Sequence, residues 1–371
     1  MIVFDHQIFC RQPYGGISRY FVETIRELLR LYPDMPFRVL APLYINSYLE
    51  RLPSAVVVGR KLIRGRRRAL ANLKQELNRW LASLHWRWQP GDVLHETYYR
   101  LSCIADPRQT PVVLTMFDMI NELFPDQHPD FAERHAAKQA AVQRAAQIIC
   151  ISENTRQDLL RILPVDPKRV SVIHLGFDAG QFTSQPTGPS QIGSPYLLFV
   201  SNRAGYKNFA ALLRAYAARP GLHDHFKLVC MGGEATTPAE LGELARLGLE
   251  QNQVLFLRGD DALLANLYHH AAALVYPSCY EGFGIPPLEA MACDCPVICS
   301  NTSSLPEVVG EAGEYFDPQD TDALTTAIEN VVGSPTRSAE LRRLGRLNLQ
   351  RFSWTQCAQQ HMEVYRQYGR S

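Results

Sequence analysis

One stretch of sequence decides the fold: YEGFGIPPLEAMA, residues 280–292. An apolar run over residues 271–276 comes just before it and predicts a buried strand. Gly282 and Gly284 then supply a loop that can take positive φ and bring the backbone close to a ligand. Pro286-Pro287 suit the first positions of a helix, where a missing N–H costs nothing. A strand, a glycine loop and a helix start together predict a site where backbone N–H groups meet an anion.

Two carboxylates bracket this loop at a spacing of eight residues, Glu281 at the strand exit and Glu289 in the first helical turn. The spacing alone is common, and a solvated glutamate pair beside an ordinary strand–helix turn is the alternative. With Gly-Phe-Gly-Ile-Pro-Pro between them, however, the pair resembles the E-x7-E signature of retaining glycosyltransferases of family four. These enzymes have the GT-B fold, which contains two Rossmann-like domains.

The resemblance implies an α/β protein of GT-B type. Its two Rossmann-like domains would carry parallel sheets that face each other across a cleft, with a C-terminal helix that crosses back to the first domain. The length of 371 residues fits two domains of about 150–200 residues, and alternating strand and helix patterns favour parallel sheets. A stretch rich in Gln, Pro, Gly and Ser over residues 183–194 predicts the linker. We therefore predict an acceptor domain of residues 1–180 plus 352–371 and a donor domain of residues 181–351.

The bulk composition is typical of a soluble globular protein, with 46% hydrophobic and 20% charged residues. No apolar run approaches the roughly 20 residues that span a bilayer, and the N-terminus does not have the pattern of a signal peptide. The nine cysteines are scattered, which favours reduced thiols over a disulfide framework. Cys293, Cys295 and Cys299 lie close in sequence, but with no histidine nearby we do not predict a metal site. We expect a cytoplasmic protein.

Positive charge is concentrated at the start of the chain, although the net charge is only +1. Residues 1–100 carry 16 Lys plus Arg against 8 Asp plus Glu. Within them, residues 60–88 combine a basic run with an amphipathic leucine pattern and the tryptophans Trp80, Trp86 and Trp88. This combination predicts peripheral docking on an anionic membrane surface, and a solvated helix that covers the core is the alternative. No motif supports nucleic-acid binding.

A second glycine loop, Gly15-Gly16, lies between the first predicted strand and a helix predicted over residues 18–32. Adjacent glycines here can also offer backbone N–H groups to an anion. The full G-x-G-x-x-G is missing, so a dinucleotide site is not predicted. The resemblance places this loop near the donor phosphates, and a plain tight turn is the alternative.

The predicted strand over residues 111–115 ends at Phe117-Asp118, where family members often carry His-Asp. That histidine usually helps to position the donor, so its role does not transfer to this chain. Asp118 remains, and it could contact or deprotonate an acceptor hydroxyl. Its alternative role is to cap the helix that follows.

The resemblance also assigns residues to the donor. Arg203 and Lys207, after a strand predicted over residues 196–200, would hold the pyrophosphate and balance its charge as the glycosidic bond breaks. The backbone at Arg258-Gly259 would meet the nucleotide base. In the signature, the N–H groups of the loop would contact the sugar or its phosphate, while the two carboxylates would accept from hydroxyls of the transferred sugar and of the ribose. These signature residues are Glu281, Gly282, Phe283, Gly284 and Glu289.

The resemblance therefore implies a hexosyltransferase that retains anomeric configuration. The resemblance favours mannose from GDP-mannose, followed by UDP-glucose, with a glycan or polyprenyl-linked glycan as acceptor, as in cell-surface polysaccharide or lipopolysaccharide synthesis. No cofactor or metal is expected, because no Asp-x-Asp stands beside a suitable strand. The alternatives are a catalytically silent scaffold that binds nucleotide sugars and a GT-B-type epimerase or phosphorylase.

Overall fold

The structure is a computed structural model that describes residues 1–62, 71–177, 179–180, 182–185, 188–203 and 205–369. The chain forms two compact units. Unit 1 comprises Met1–Gly176 and Phe352–Ser371, and unit 2 comprises Phe177–Arg351. The domains predicted from the sequence are residues 1–180 plus 352–371 and residues 181–351.

Unit 1 contains a seven-stranded sheet in the order β3-β2-β1-β4-β5-β6-β7, and every neighbouring pair is parallel. Its strands are β1 Ile2–Phe4, β2 Phe37–Tyr44, β3 Val57–Lys61, β4 Val93–Glu96, β5 Val112–Met116, β6 Gln147–Cys150 and β7 Val170–Val172. The helices of its first segment are α1 Gln7–Arg11, α2 Gly16–Leu31, α3 Ala71–Trp88, α4 Ile120–Leu123, α5 Phe131–Arg144 and α6 Glu153–Ile162.

Unit 2 contains a six-stranded sheet in the order β10-β9-β8-β11-β12-β13, again with parallel pairs. Its strands are β8 Tyr196–Val200, β9 Lys227–Met231, β10 Val254–Leu257, β11 Ala273–Tyr276, β12 Val297–Ser300 and β13 Gly313–Phe316. Its helices are α7 Phe209–Ala217, α8 Pro220–His225, α9 Pro238–Arg246, α10 Asp261–His270, α11 Ile285–Ala292, α12 Leu305–Val309, α13 Thr321–Val332 and α14 Pro335–Asn348. The last helix of the chain, α15 Trp354–Arg366, belongs to unit 1.

The predicted α/β fold with two parallel sheets is confirmed. The central strands β5, β8, β11 and β12 are buried along their whole length, as expected for strands with both faces covered by helices. The C-terminal helix packs on α2, where the Tyr20 hydroxyl lies 2.7 Å from Nε2 of His361. It also fixes Gly176, since a Cβ there would lie 2.4 Å from the Trp354 ring.

Two elements differ from the sequence-based expectation. The short helix α1 was not predicted, and neither was β3, to which Arg60 and Lys61 of the basic run belong. The rest of that run, including Arg64, Arg66, Arg67 and Arg68, lies outside the described residues. Within the described ranges, no helix is both long and apolar enough to cross a membrane. Cys293, Cys295 and Cys299 are buried free thiols, and the side chains that the structure describes form no cluster of three metal ligands.

Candidate functional site

The strand order of unit 2 places a ligand crevice beside β8 and β11. These strands are neighbours, but the chain leaves β8 towards β9 on one side and reaches β11 on the other. Loops that leave the carboxyl ends of such a strand pair diverge, and ligands of open α/β sheets bind in the crevice between them. Lys207 follows β8 and Glu281 follows β11, so the topology alone brings two predicted site residues to the same switch point.

Lys207 and Glu281 form a buried ion pair. The Lys207 Nζ atom lies 2.6 Å from Oε1 of Glu281, and each side chain is only 10% exposed. The ammonium also lies over the rings of Tyr206, at 5.1 Å, and Tyr276, at 5.9 Å. A buried pair of this kind gains little net stability, because desolvation offsets much of the attraction. What it achieves is to keep a positive charge in a fixed place at the crevice.

Each signature carboxylate has a buried tyrosine beside it. The Tyr268 hydroxyl donates to Oε2 of Glu289 at 3.1 Å, and burial, reinforced by Glu289, raises the pKa of Tyr268 well above its usual value. Burial, reinforced by Glu281, likewise raises the pKa of Tyr276 well above its usual value. Both phenols therefore stay protonated and available as hydrogen-bond donors to carboxylates. The sequence does not single out either tyrosine, because both precede the motif: Tyr268 lies in α10 and Tyr276 ends the apolar strand β11.

The glycine loop enters α11 as the sequence predicts. Gly284 is the N-cap and takes φ +114°, the positive φ that the glycines of the motif were predicted to supply. Pro286 and Pro287 follow Ile285 in the first turn. Because neither proline has an N–H, Ile285 is the one residue of the first three that can donate from the backbone. Anion contacts here therefore depend on Ile285 and the loop before it more than on the helix itself.

Two serines after β12 hold the signature loop in place. The Ser304 hydroxyl lies 2.9 Å from the carbonyl oxygen of Glu281 and 2.7 Å from that of Phe283. Ser303 accepts from the Glu281 N–H at 3.0 Å and takes φ +53°, a conformation that a serine adopts at a cost of about 1–3 kcal/mol. The sequence marks this pair as a helix start, but it does not reveal that the serines contact the loop.

Arg203 makes a different set of contacts. Its guanidinium pairs with Glu240, donates to the carbonyl oxygens of Gly232 at 3.1 Å and Glu234 at 2.8 Å, and lies 4.9 Å from the centre of the Phe256 ring. These contacts tie it to the loop between β9 and α9 and not to the Lys207–Glu281 pair. Its role in binding a phosphate stays a prediction.

Arg258-Gly259 follows β10 on the same side of unit 2. Arg258 is half-exposed and lies 3.7 Å from Glu234, while a Cβ at Gly259 would lie 2.4 Å from Leu263. A larger residue at position 259 would therefore have to move the Leu263 side chain at the start of α10. A contact of its backbone with a nucleotide base remains a prediction.

The predicted residues of unit 1 lie at the starts of helices. Gly15 is the N-cap of α2 and Gly16 its exposed first residue, with open space where a Cβ would be. Asp118 accepts from the N–H of Ile120, the first residue of α4, at 3.1 Å. Asp118 lies one residue before the N-cap of α4, which is Met119, so this contact holds the start of the helix without being an N-cap bond. The role of Asp118 towards an acceptor stays a prediction. Phe117 is buried edge-on against Tyr20 at 5.3 Å between ring centres.

Comparisons with known families divide the chain in two. Residues 14–181 match the family described as Glycosyltransferase Family 4, and residues 184–347 match the family described as Glycosyl transferases group 1. The two matches meet close to the division between units 1 and 2.

Individual relatives are similar over most of the chain. The chain is 27% identical to O-antigen chain mannosyltransferase B of Escherichia coli, over 96% of this chain and 97% of that protein. It is 29% identical to the serotype-specific mannosyltransferase WbdA of Escherichia coli over 73% of this chain, but it spans only about a third (35%) of that protein. The crystal structure of Anabaena Alr3699/HepE in complex with UDP-glucose has the same fold, with a TM-score of 0.73 over 99% of both chains at 18% identity.

Proposed function

Because this chain belongs to the glycosyltransferases of family four, we propose that it transfers mannose from GDP-mannose to a glycan or polyprenyl-linked glycan. The transfer would retain anomeric configuration and need no metal or other cofactor. The observation that carries the proposal is the buried Lys207–Glu281 pair at the switch point of unit 2. The relatives named as mannosyltransferases support the choice of sugar.

Glycosyl transfer needs positive charge where the leaving nucleoside diphosphate becomes more negative. Lys207 has three N–H donors and gives one to Glu281, so two remain for phosphate oxygens. The ion pair fixes the ammonium before the donor binds, and such preorganised charge is worth several kcal/mol at a developing anion. The Ile285 N–H and the backbone of the glycine loop would add neutral donors.

The two carboxylates would orient the donor. Glu281, whose Oε1 accepts from Lys207, would also accept from a hydroxyl of the transferred sugar. Glu289 is the fifth residue of α11 and so lies just beyond the first turn, where the sequence had placed it. It would accept from ribose hydroxyls, with Tyr268 orienting its other oxygen. The donor sugar would thus be held on one side by a carboxylate and at its phosphates by the ammonium that this carboxylate positions.

A panel of nucleotide sugars measured by calorimetry, followed by product analysis, tests the proposal. We expect GDP-mannose to bind most tightly, the α-linked product to form from the α-linked donor, and EDTA to leave the rate unchanged. If no nucleotide sugar binds, the proposal fails. Binding without turnover on any acceptor would favour the silent scaffold, and a β-linked product would contradict retention.

Replacing Lys207 by Met keeps the apolar stem and removes the charge. We expect GDP-mannose to bind at least about tenfold more weakly, which is about 1.4 kcal/mol. Lys227→Met is the matched control, because this lysine begins β9 at the opposite end of the same sheet. Calorimetry on both variants should separate them. Equal affinities in the two variants would remove Lys207 from the site.

We also propose that residues 60–88 attach the protein to the inner face of an anionic membrane. On α3, the side chains of Leu77, Trp80 and Trp88 are 44%, 59% and 85% exposed and follow one another at intervals that share a helix face. Exposed tryptophans beside basic residues suit a lipid interface. Binding to vesicles tests this.

A further inference from the structure

Unit 1 has a switch point of its own, between β1 and β4, and a cavity of about 440 Å³ lies there. Residues that follow β1 and β4 line it, together with side chains of α3 and α5. This volume is within the range of small-molecule sites in proteins. Its walls include Arg11, Arg79, Tyr98, Arg100, Leu101 and Arg134.

Several N–H donors at this cavity have no acceptor. Arg79 Nε and Arg100 Nη1 are buried atoms without a hydrogen-bond partner. Both ring nitrogens of His6 are also buried and unpartnered, and only 3% of this residue is exposed. His6 lines a small cavity that shares Arg11 and Arg100 with the larger one. Leaving a buried polar group unpaired costs free energy, so a ligand that brings acceptor oxygens would gain by pairing these donors.

The charges at the cavity also favour an anion. Four arginines line it against three acidic residues. Glu76 pairs with Arg79 and Asp130 with Arg134, each at 2.6 Å, and Glu133 is the third acid. Arg11 instead stacks on the Tyr98 ring at 4.5 Å.

Arg100 instead donates to the amide oxygen of Gln75 at 2.8 Å. Neither Arg11 nor Arg100 has a carboxylate partner among the residues that the structure describes. Burial lowers the pKa of His6, which leaves a neutral imidazole that adds one N–H to the guanidinium donors.

We propose that this cavity binds the phosphoryl group of a lipid-linked acceptor, which rests on the glycosyl transfer proposed above. A phosphoryl group offers several charged oxygens to guanidinium donors that converge from different elements. The lipid assignment follows from the rim. Leu101 lines the cavity yet is 68% exposed, and Arg79 is followed on α3 by Trp80, which is 59% exposed. The polar head would enter the cavity while the chain lies on exposed apolar side chains.

The first experiment measures binding of pyrophosphate and of a short-chain polyprenyl phosphate by calorimetry. Arg100→Gln and Arg11→Gln should each weaken both ligands at least about tenfold. The controls match them in chemistry: Arg38 also donates to a glutamine oxygen, that of Gln89, and Arg366 also lies over a tyrosine, Tyr32, at 5.4 Å. Arg38→Gln and Arg366→Gln should change affinity less than about twofold. If the cavity variants and the controls behave alike, the proposal is overturned.

The second experiment separates the sources of the phosphate. The polyprenyl phosphate should bind at least about tenfold more tightly than inorganic phosphate, and equal affinities would assign the site to free phosphate and overturn the lipid assignment. Lys207→Met should leave binding of polyprenyl phosphate unchanged while GDP-mannose affinity falls. If Arg100→Gln weakens GDP-mannose as much as polyprenyl phosphate, the cavity serves the donor and the proposal fails. Polyprenyl phosphate binding in a protein that binds no nucleotide sugar would instead refute only the proposed function.

Discussion

At the scale of single residues, the signature loop depends most on Gly284. Its φ of +114° lies in a region that L side chains rarely adopt, and a Cβ there would come within 3.0 Å of Leu305. The same loop carries the carbonyl oxygens of Glu281 and Phe283, to which the Ser304 hydroxyl donates. A side chain at Gly284 would therefore strain the backbone and displace the Leu305 side chain at the point where the donor is proposed to bind.

We expect Gly284→Ala to lower the free energy of unfolding by about 1–2 kcal/mol and to weaken GDP-mannose binding at least about tenfold. Gly248→Ala is the control, since Gly248 also takes positive φ, +71°, but has no atom within 4 Å of a Cβ position. Urea denaturation should show a backbone cost in both variants. Calorimetry should show a loss of donor affinity in Gly284→Ala alone, and an equal loss in both would contradict the role given to this loop.

The residues near the signature also show what sequence could predict. Lys207 and Glu281 were proposed from residue type and loop position, and the parallel arrangement of β8 and β11 brings them into contact. Arg203 was proposed on the same grounds, yet its donors go to Gly232, Glu234 and Glu240. Those acceptors come about thirty residues later in the chain. The sequence alone does not show that the fold brings them within hydrogen-bonding distance of Arg203.

At the scale of elements, α3 shows how a backbone irregularity orients a helix. Residues 60–88 were predicted to dock on a membrane or to cover the core as a solvated helix. In α3 the buried side chains are Asn78, Ala82 and Trp86, while Leu77 is exposed. Asn78 accepts from the N–H of Leu43 at 2.9 Å and donates to the Leu43 carbonyl at 3.1 Å. The register of β2 against β3 shifts between Leu40 and Leu43, and Asn78 satisfies the backbone groups of Leu43 there. With Asn78 on the buried side of α3, the preceding residue Leu77 faces solvent.

That exposed face leads to a prediction about α3. Replacing Trp80 and Trp88 together by Ser should reduce binding to phosphatidylglycerol-containing vesicles at least about tenfold, because these side chains would otherwise insert into the lipid interface. Leu347→Ser is the control, since Leu347 is 51% exposed on a helix of unit 2. Flotation at low and high salt measures the bound fraction. If the double variant floats like the control, α3 is a solvated helix.

At the scale of the whole molecule, unit 1 is completed by the end of the chain. The aromatic and polar side chains of α15 enter the core beside β1 and β4: the Tyr365 hydroxyl lies 2.7 Å from His95 Nδ1, and its ring packs edge-on against Phe4. The amphipathic pattern of residues 354–366 predicts a helix but not its partner. Only the family resemblance suggested that it returns to the first domain, because the contacting residues are more than 250 positions apart.

Because α15 packs in unit 1 and buries His361, the stability of unit 1 depends on pH. Its Nδ1 atom lies 2.8 Å from the Cys357 carbonyl oxygen and must donate to it, so Nε2 accepts from the Tyr20 hydroxyl at 2.7 Å. Burial lowers the pKa of His361 to about 4. Between pH 6.5 and 4 the unfolded chain thus binds a proton that the native unit does not. The free energy of unfolding should therefore fall as the pH falls through this window, by up to about 1.4 kcal/mol per pH unit.

His361→Gln removes this proton and should give a shallower pH dependence, even though the variant starts from a lower stability. Burial also lowers the pKa of His95 well below its usual value, so the slope should decrease without vanishing. The four tryptophans, Trp80, Trp86, Trp88 and Trp354, all belong to unit 1, and their fluorescence in urea follows its unfolding without interference from unit 2. Equal slopes for the native protein and the variant between pH 5 and 6.5 would mean that His361 titrates normally, and that α15 does not bury it as tightly as its contacts with α2 imply.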